Sequence, residues 1–195
     1  MAKEKRKVQG LNKGDWEKEK AGGQEARGQA GKQKTALYGM LIALAFVFSY
    51  VEAMIPLPVP VPGIKLGLAN LASVVGLYTV GCPGAALVAL VRIVLVGFTF
   101  GNTFSMLYGL AGGAASLAAM AVGKKLGWFG VVGVSILGGV FHNMGQLAVA
   151  AWVARTAGVF FYFPVLLAAG TITGGVVGLL GGLVVVRIQA AVKRL

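Results

Sequence analysis

From Ala36 to Val186 one apolar stretch follows another, broken only by brief joints carrying glycine, proline or a few polar residues. No other feature limits the fold as much. In lipid there is no water to satisfy backbone N–H and C=O groups, so each stretch must close its own hydrogen bonds, as a helix does. Composition agrees: 57% of residues are hydrophobic and 12% charged, about half the charged share of a soluble domain. A soluble core has no use for that much apolar surface, whereas several spanning helices need it.

Six segments emerge, at residues 36–55, 66–80, 85–98, 104–122, 128–152 and 160–186. The second and third are short for a span, which predicts tilted, broken or re-entrant helices. Between the first two lies "PLPVPVPGIK", whose four prolines at 56, 58, 60 and 62 predict a stiff extended connection. "GCPG", "TFGNT", "GKK" and "RTAG" mark the other joints. The expected architecture is an all-α membrane protein, a compact bundle of about six transmembrane helices over residues 35–190. The single cysteine, Cys82, sits beside Pro83 in an expected turn and has no second Cys to bond with.

Residues 1–34 differ in kind. They hold ten of the eighteen Lys and Arg residues and five of the six acids, without an apolar period. Such a segment buries too little to offset its ordering entropy, and we expect a disordered, basic cytoplasmic tail. It has no apolar core of the kind a signal peptide needs. Its charge suits an anionic leaflet better than nucleic acid, because acids are interleaved with the bases.

Six spans put both termini on one side. The positive-inside rule puts them in the cytoplasm. Lys124, Lys125, Arg187, Lys193 and Arg194 then join the tail, leaving Lys65 and Arg155 outside. The expected location is the cell membrane, multi-pass.

Glycine recurs every four residues at Gly170, Gly174, Gly178 and Gly182. Small residues at that spacing let a second helix approach closely, and packing within the bundle is expected for this stripe. In the first segment, Gly39, Ala43, Ala45 and Ser49 suit a contact with another subunit as well as a contact inside the bundle.

Polar groups inside a membrane are costly and point to function by default. Here they are Glu52, Lys65, Asn70, Arg92, Asn102, His142, Asn143 and Gln146. Counting along the segments at about 1.5 Å per residue puts all eight between the midplane and the outer surface. That distribution predicts a polar cavity opening outward. Gln146 lies four residues from His142 and three from Asn143, so it shares a helix face with both. Glu52 is the sole acid after Glu25. Arg92 therefore either pairs with Glu52 or meets an anionic ligand group, while the amides and imidazole bond across helices or orient a ligand.

Catalysis has little to stand on. Holding Mg²⁺ for diphosphate chemistry takes clustered carboxylates, and the membrane segments hold one. No Asp is present there to orient His142, and no GxxxxGK[ST] phosphate loop occurs. No cofactor and no metal site are expected.

"PGIKLGLANL", "ALVRIVLVGFTFG", "GGVFHNMGQLAVAA" and "PVLLAAGTITGGVVGLLGGL" resemble the Gx transporter family, whose members are often labelled heptaprenyl diphosphate synthase component I. The family is similar to the substrate-binding S components of energy-coupling-factor transporters. The resemblance covers about residues 36–187. It implies an S-component-like bundle with an outward pocket for a small molecule. It also implies a transmembrane coupling protein and an ATPase pair as partners, with Gly39, Ala43, Ala45 and Ser49 as the docking face. The synthase label implies instead a non-catalytic membrane subunit of an isoprenoid or quinone assembly, since the chain's one aspartate, Asp15, lies in the tail. A membrane partner of a redox complex is a third expectation.

Overall fold

The computed structural model describes residues 13–54 and 67–193. Lys65, the proline-rich connection, the first twelve residues and Arg194 lie outside the described residues. The described chain is helical throughout, with no strand: α1 (Lys13–Met54), α2 (Asn70–Thr79), α3 (Gly81–Thr99), α4 (Thr103–Leu126), α5 (Val131–Ala154), a 3₁₀ turn (Ala157–Tyr162) and α6 (Phe163–Lys193). Five of these helices are long and apolar enough to cross a membrane, and α2 is the exception. The protein is an all-α membrane protein.

Two compact units divide the chain, one ending at Gly39 and the other beginning at Met40. In the first, residues 13–34 are helical, where the sequence led us to expect irregular chain. Every described side chain of that stretch is exposed, so no apolar packing holds it. Its Lys, Glu, Gln, Ala and Arg residues are good helix formers, and Glu17 and Lys20 stand at a spacing that supports a helix.

The second unit is the bundle. α5 lies between α4 and α6, and the short α2 packs on α3 and α6. Leu71, Ala72, Val74, Val75 and Leu77 of α2 are all buried, so this helix is apolar all round and enclosed. Leu41, Ala85, Val88, Met120, Val134 and Leu147 complete the core around it. Large side chains such as Phe98, Phe161, Ile172, Leu179 and Leu183 point outward, as lipid-facing positions require.

The glycine stripe packs α6 on α5, as its spacing suggested. A Cβ at Gly174 would lie 2.8 Å from the Ile136 Cα, and one at Gly178 2.7 Å from the Val132 Cα. A Cβ at Gly139 would collide with the Gly170 carbonyl oxygen. The pairs descend one helix as they climb the other, so α5 and α6 are antiparallel and touch backbone to backbone. Such contact replaces the hydrophobic drive that lipid cannot supply.

Two joints differ from expectation. The "GCPG" turn narrows to Val80 and Gly81, which has φ +80°. Cys82, Pro83 and Gly84 become the first turn of α3, where a missing proline N–H costs nothing. Cys82 is exposed. The second segment shortens to the ten residues of α2, about 15 Å of helix and half a span.

Candidate functional site

The half-length α2 creates the site. The Ser116 hydroxyl donates to Asn70 Oδ1 at 3.3 Å, and the Lys124 ammonium donates to the Leu77 carbonyl at 2.7 Å. Both contacts advance by eight residues or nearly so, so α2 and α4 run parallel. Asn70 opens α2 at the level of Ser116, thirteen residues into α4 and about 20 Å along it. The first turn of α2 thus lies deep in the bundle. Its far end meets Lys124, whose ammonium also sits 4.5 Å from the Tyr78 ring centre. A cation there complements the negative end of the helix.

Above the start of α2 the bundle holds a cleft of about 530 Å³, its open mouth included. Ser49 and Glu52 come from the end of α1, Gly67 and Asn70 from the start of α2, and Arg92 from α3. Ser105 and Gly109 come from the start of α4, and His142 and Gln146 from α5. A smaller space of about 240 Å³ lies on the α6 side of Gly67 and Asn70, lined by His142, Asn143, Gly139, Thr173 and Gly174.

Each polar group has a distinct environment. Glu52 Oε1 accepts from the Gly67 N–H, placing a carboxylate at the positive end of α2. The same carboxylate acts coulombically on Arg92. Arg92 Nη1 donates to Ser49 Oγ at 3.5 Å, the outer limit of a hydrogen bond. Arg92 Nε is buried with no hydrogen-bond partner among the described residues, and the same holds for Gln146 Oε1 and Ser135 Oγ. Asn143 Nδ2 donates to the Leu166 carbonyl at 2.8 Å, tying α5 to α6. Gly112 lets α5 close on α4: a Cβ there would lie 2.9 Å from His142 Cε1 and 3.0 Å from Gln146 Cγ.

Of the residues singled out from sequence, Glu52, Asn70, Arg92, His142 and Gln146 meet at one cleft. Asn143 lines the adjoining space instead, and Lys65 lies outside the described residues. Asn102 stands apart. It is exposed and is the N-cap of α4, with Oδ1 accepting from the Ser105 N–H at 2.8 Å while Ser105 Oγ accepts from the Asn102 N–H at 3.0 Å. This reciprocal cap corrects the expectation that Asn102 lines the cavity. The joint that suggested an outer polar position is a helix start signal.

The docking face expected on α1 also changes. Gly39 and Ala43 are exposed, whereas Ala45 and Ser49 are buried. The two pairs occupy different faces because 100° per residue turns position 45 well away from position 39. Ser49 belongs to the cleft. Sequence reasoning also passed over Ser105 and Ser116, since isolated serines in apolar helices give a weak signal.

The described residues of the cleft offer one guanidinium, one carboxylate, an imidazole, two amides and hydroxyls, a set suited to binding a polar molecule. Among the described residues no group of three or more His, Cys, Asp or Glu comes together to hold a metal.

No curated protein and no solved structure matches the chain. A family model described as heptaprenyl diphosphate synthase component I matches residues 41–184. The matched stretch runs from the first buried leucine of α1 through most of α6 and contains all of the described cleft. With well over half of its 195 residues and most of the helical bundle accounted for in this way, the chain belongs to the heptaprenyl diphosphate synthase component I family.

Proposed function

We propose that this chain is the membrane-embedded substrate-binding subunit of an energy-coupling-factor type transporter. It captures a small polar molecule in the cleft and is reoriented by a transmembrane coupling protein driven by paired ATPases. The observation that carries the reading is the unspent hydrogen-bonding capacity of Arg92 Nε and Gln146 Oε1 in a cleft between membrane helices. Buried polar atoms left open are costly, and a ligand that engages them repays that cost. On this reading the mouth faces outward and both termini are cytoplasmic, because Lys124, Lys125 and Arg187 lie toward the opposite end of the helices.

The family name favours a second reading, a non-catalytic membrane subunit associated with heptaprenyl diphosphate synthase. With one carboxylate in the bundle, the chain lacks the clustered acids that would hold Mg²⁺ on a diphosphate. Its part in such an assembly is that of a partner and not of the catalyst.

Native mass spectrometry of protein extracted gently from its own membranes separates the two. A stoichiometric small molecule, absent from Arg92→Ala, is the expected result, with a coupling protein and ATPases co-purifying. An empty protein carrying a soluble prenyl synthase would overturn the transporter reading.

A further inference from the structure

We infer that the ligand of the cleft is a small monocarboxylate that carries a separate hydrogen-bond donor, as hydroxy acids and amino acids do. The assignment rests on reading the chain as a binding subunit and specifies the chemistry it would bind.

The inference starts from two atoms on two helices that line the same cleft. Arg92 Nε on α3 is a buried donor without a hydrogen-bond partner among the described residues, and Gln146 Oε1 on α5 is a buried acceptor in the same position. Gln146 is only 4% exposed, and both side chains line the one cleft. Gln146 is held from behind, since its Cγ lies where a side chain at Gly112 would otherwise stand. A ligand that satisfies both atoms must present an acceptor to the guanidinium and a donor to the amide oxygen. A carboxylate matches the planar guanidinium but brings no donor, so the donor must be a second group.

Charge limits the ligand further. Arg92 is the one permanent cation among the described lining residues. The other source of positive potential, the start of α2, is already answered by Glu52 through the Gly67 N–H. Glu52 also balances part of the Arg92 charge. Arg92 and Glu52 together leave the described lining near neutrality, so a ligand of low net charge, such as a zwitterion or a monocarboxylate, suits it better than a multiply charged one. A diphosphate would bring further negative charge toward Glu52 with no described counter-charge and no acid cluster to recruit a divalent cation. The described lining is therefore poorly matched to a prenyl diphosphate.

The test uses the full chain in lipid nanodiscs and native mass spectrometry. Five probes are compared: a pool of small hydroxy and amino acids, the matching unsubstituted carboxylates, the matching amides, inorganic phosphate and farnesyl diphosphate. The first pool should bind about tenfold or more tighter than the second and third, the scale of one hydrogen bond to a charged or buried group. Gln146→Leu should abolish the preference for the first pool over the second without weakening the second. Arg92→Gln should level carboxylates and amides. If Arg92→Gln fails to insert, Arg92→Lys keeps the charge, lacks Nε and should lower carboxylate binding by a similar factor. Preferential binding of phosphate or farnesyl diphosphate, or equal binding of the first three pools, overturns this inference and leaves the binding-subunit reading standing. A protein that takes up no probe and releases no small molecule from its native membrane overturns both.

Discussion

Asn143 and Gln146 share a helix face and differ in what they still have to give. Asn143 spends its amide on the Leu166 carbonyl across the α5–α6 contact, whereas the Gln146 carbonyl oxygen is buried without a hydrogen-bond partner among the described residues. The two substitutions should therefore separate. Asn143→Ala removes an interhelical hydrogen bond worth about 1 kcal/mol in a membrane bundle. Thermal melting in detergent should fall accordingly, with ligand capture retained. Gln146→Leu should cost little stability, because an apolar group replaces a buried acceptor that had no described partner. Arg92 is the counterexample to reading burial as structure: its one hydrogen bond among the described residues, to Ser49, is long. The sequence singled out both amides and the arginine as polar groups within apolar helices. It gave no means of ranking them, because their difference lies in which carbonyl or hydroxyl from another helix comes within reach.

At the scale of elements, glycine sets the distance between α5 and α6. A methyl group at Gly139 would strike the Gly170 carbonyl, while one at Gly175 would meet nothing within 4 Å. Gly139→Ala should therefore force the helices apart and cost about 1–3 kcal/mol, as overpacking does. Gly175→Ala should be neutral or stabilising by up to about 1 kcal/mol through helix propensity. Melting temperatures of the two variants in the same detergent check this, and a comparable loss from both would rule out a register-specific contact. The four-residue spacing of Gly170, Gly174 and Gly178 was legible as a packing stripe. Which helix it meets was not, since lipid-facing and helix-facing small residues share one pattern. α2 makes the complementary point. Its apolar run looked short for a span, but its parallel course beside α4, and with it the deep starting point at Asn70, follows from the contacts with Ser116 and Lys124.

For the whole molecule, the testable property is orientation. Cys82 is exposed at the start of α3, at the end of the helices away from the cleft. With the mouth outward, Cys82 should resist a membrane-impermeant maleimide in intact cells and react in inverted vesicles. Asn102→Cys in a Cys82→Ser background, placed at the start of α4, should behave in the opposite way. The reverse pattern would turn the cleft toward the cytoplasm and remove capture from outside as a function.

The sequence by itself determined the class: lipid leaves the backbone no partner but itself, so apolar stretches of this length became helices. It also determined most of the joints, because caps and turns are local; the Asn102–Ser105 pair and the left-handed Gly127 after α4 act within a few residues of chain. Tertiary structure decided what each helix turns toward. Rotation about a helix axis leaves local energy unchanged, so only neighbouring helices could send Ser49 inward while leaving Gly39 and Ala43 exposed, and could spend Asn143 while leaving Gln146 open. The cleft likewise depends on α2 beginning halfway through the bundle, a position held by side chains from α1 and α4 that are distant in sequence.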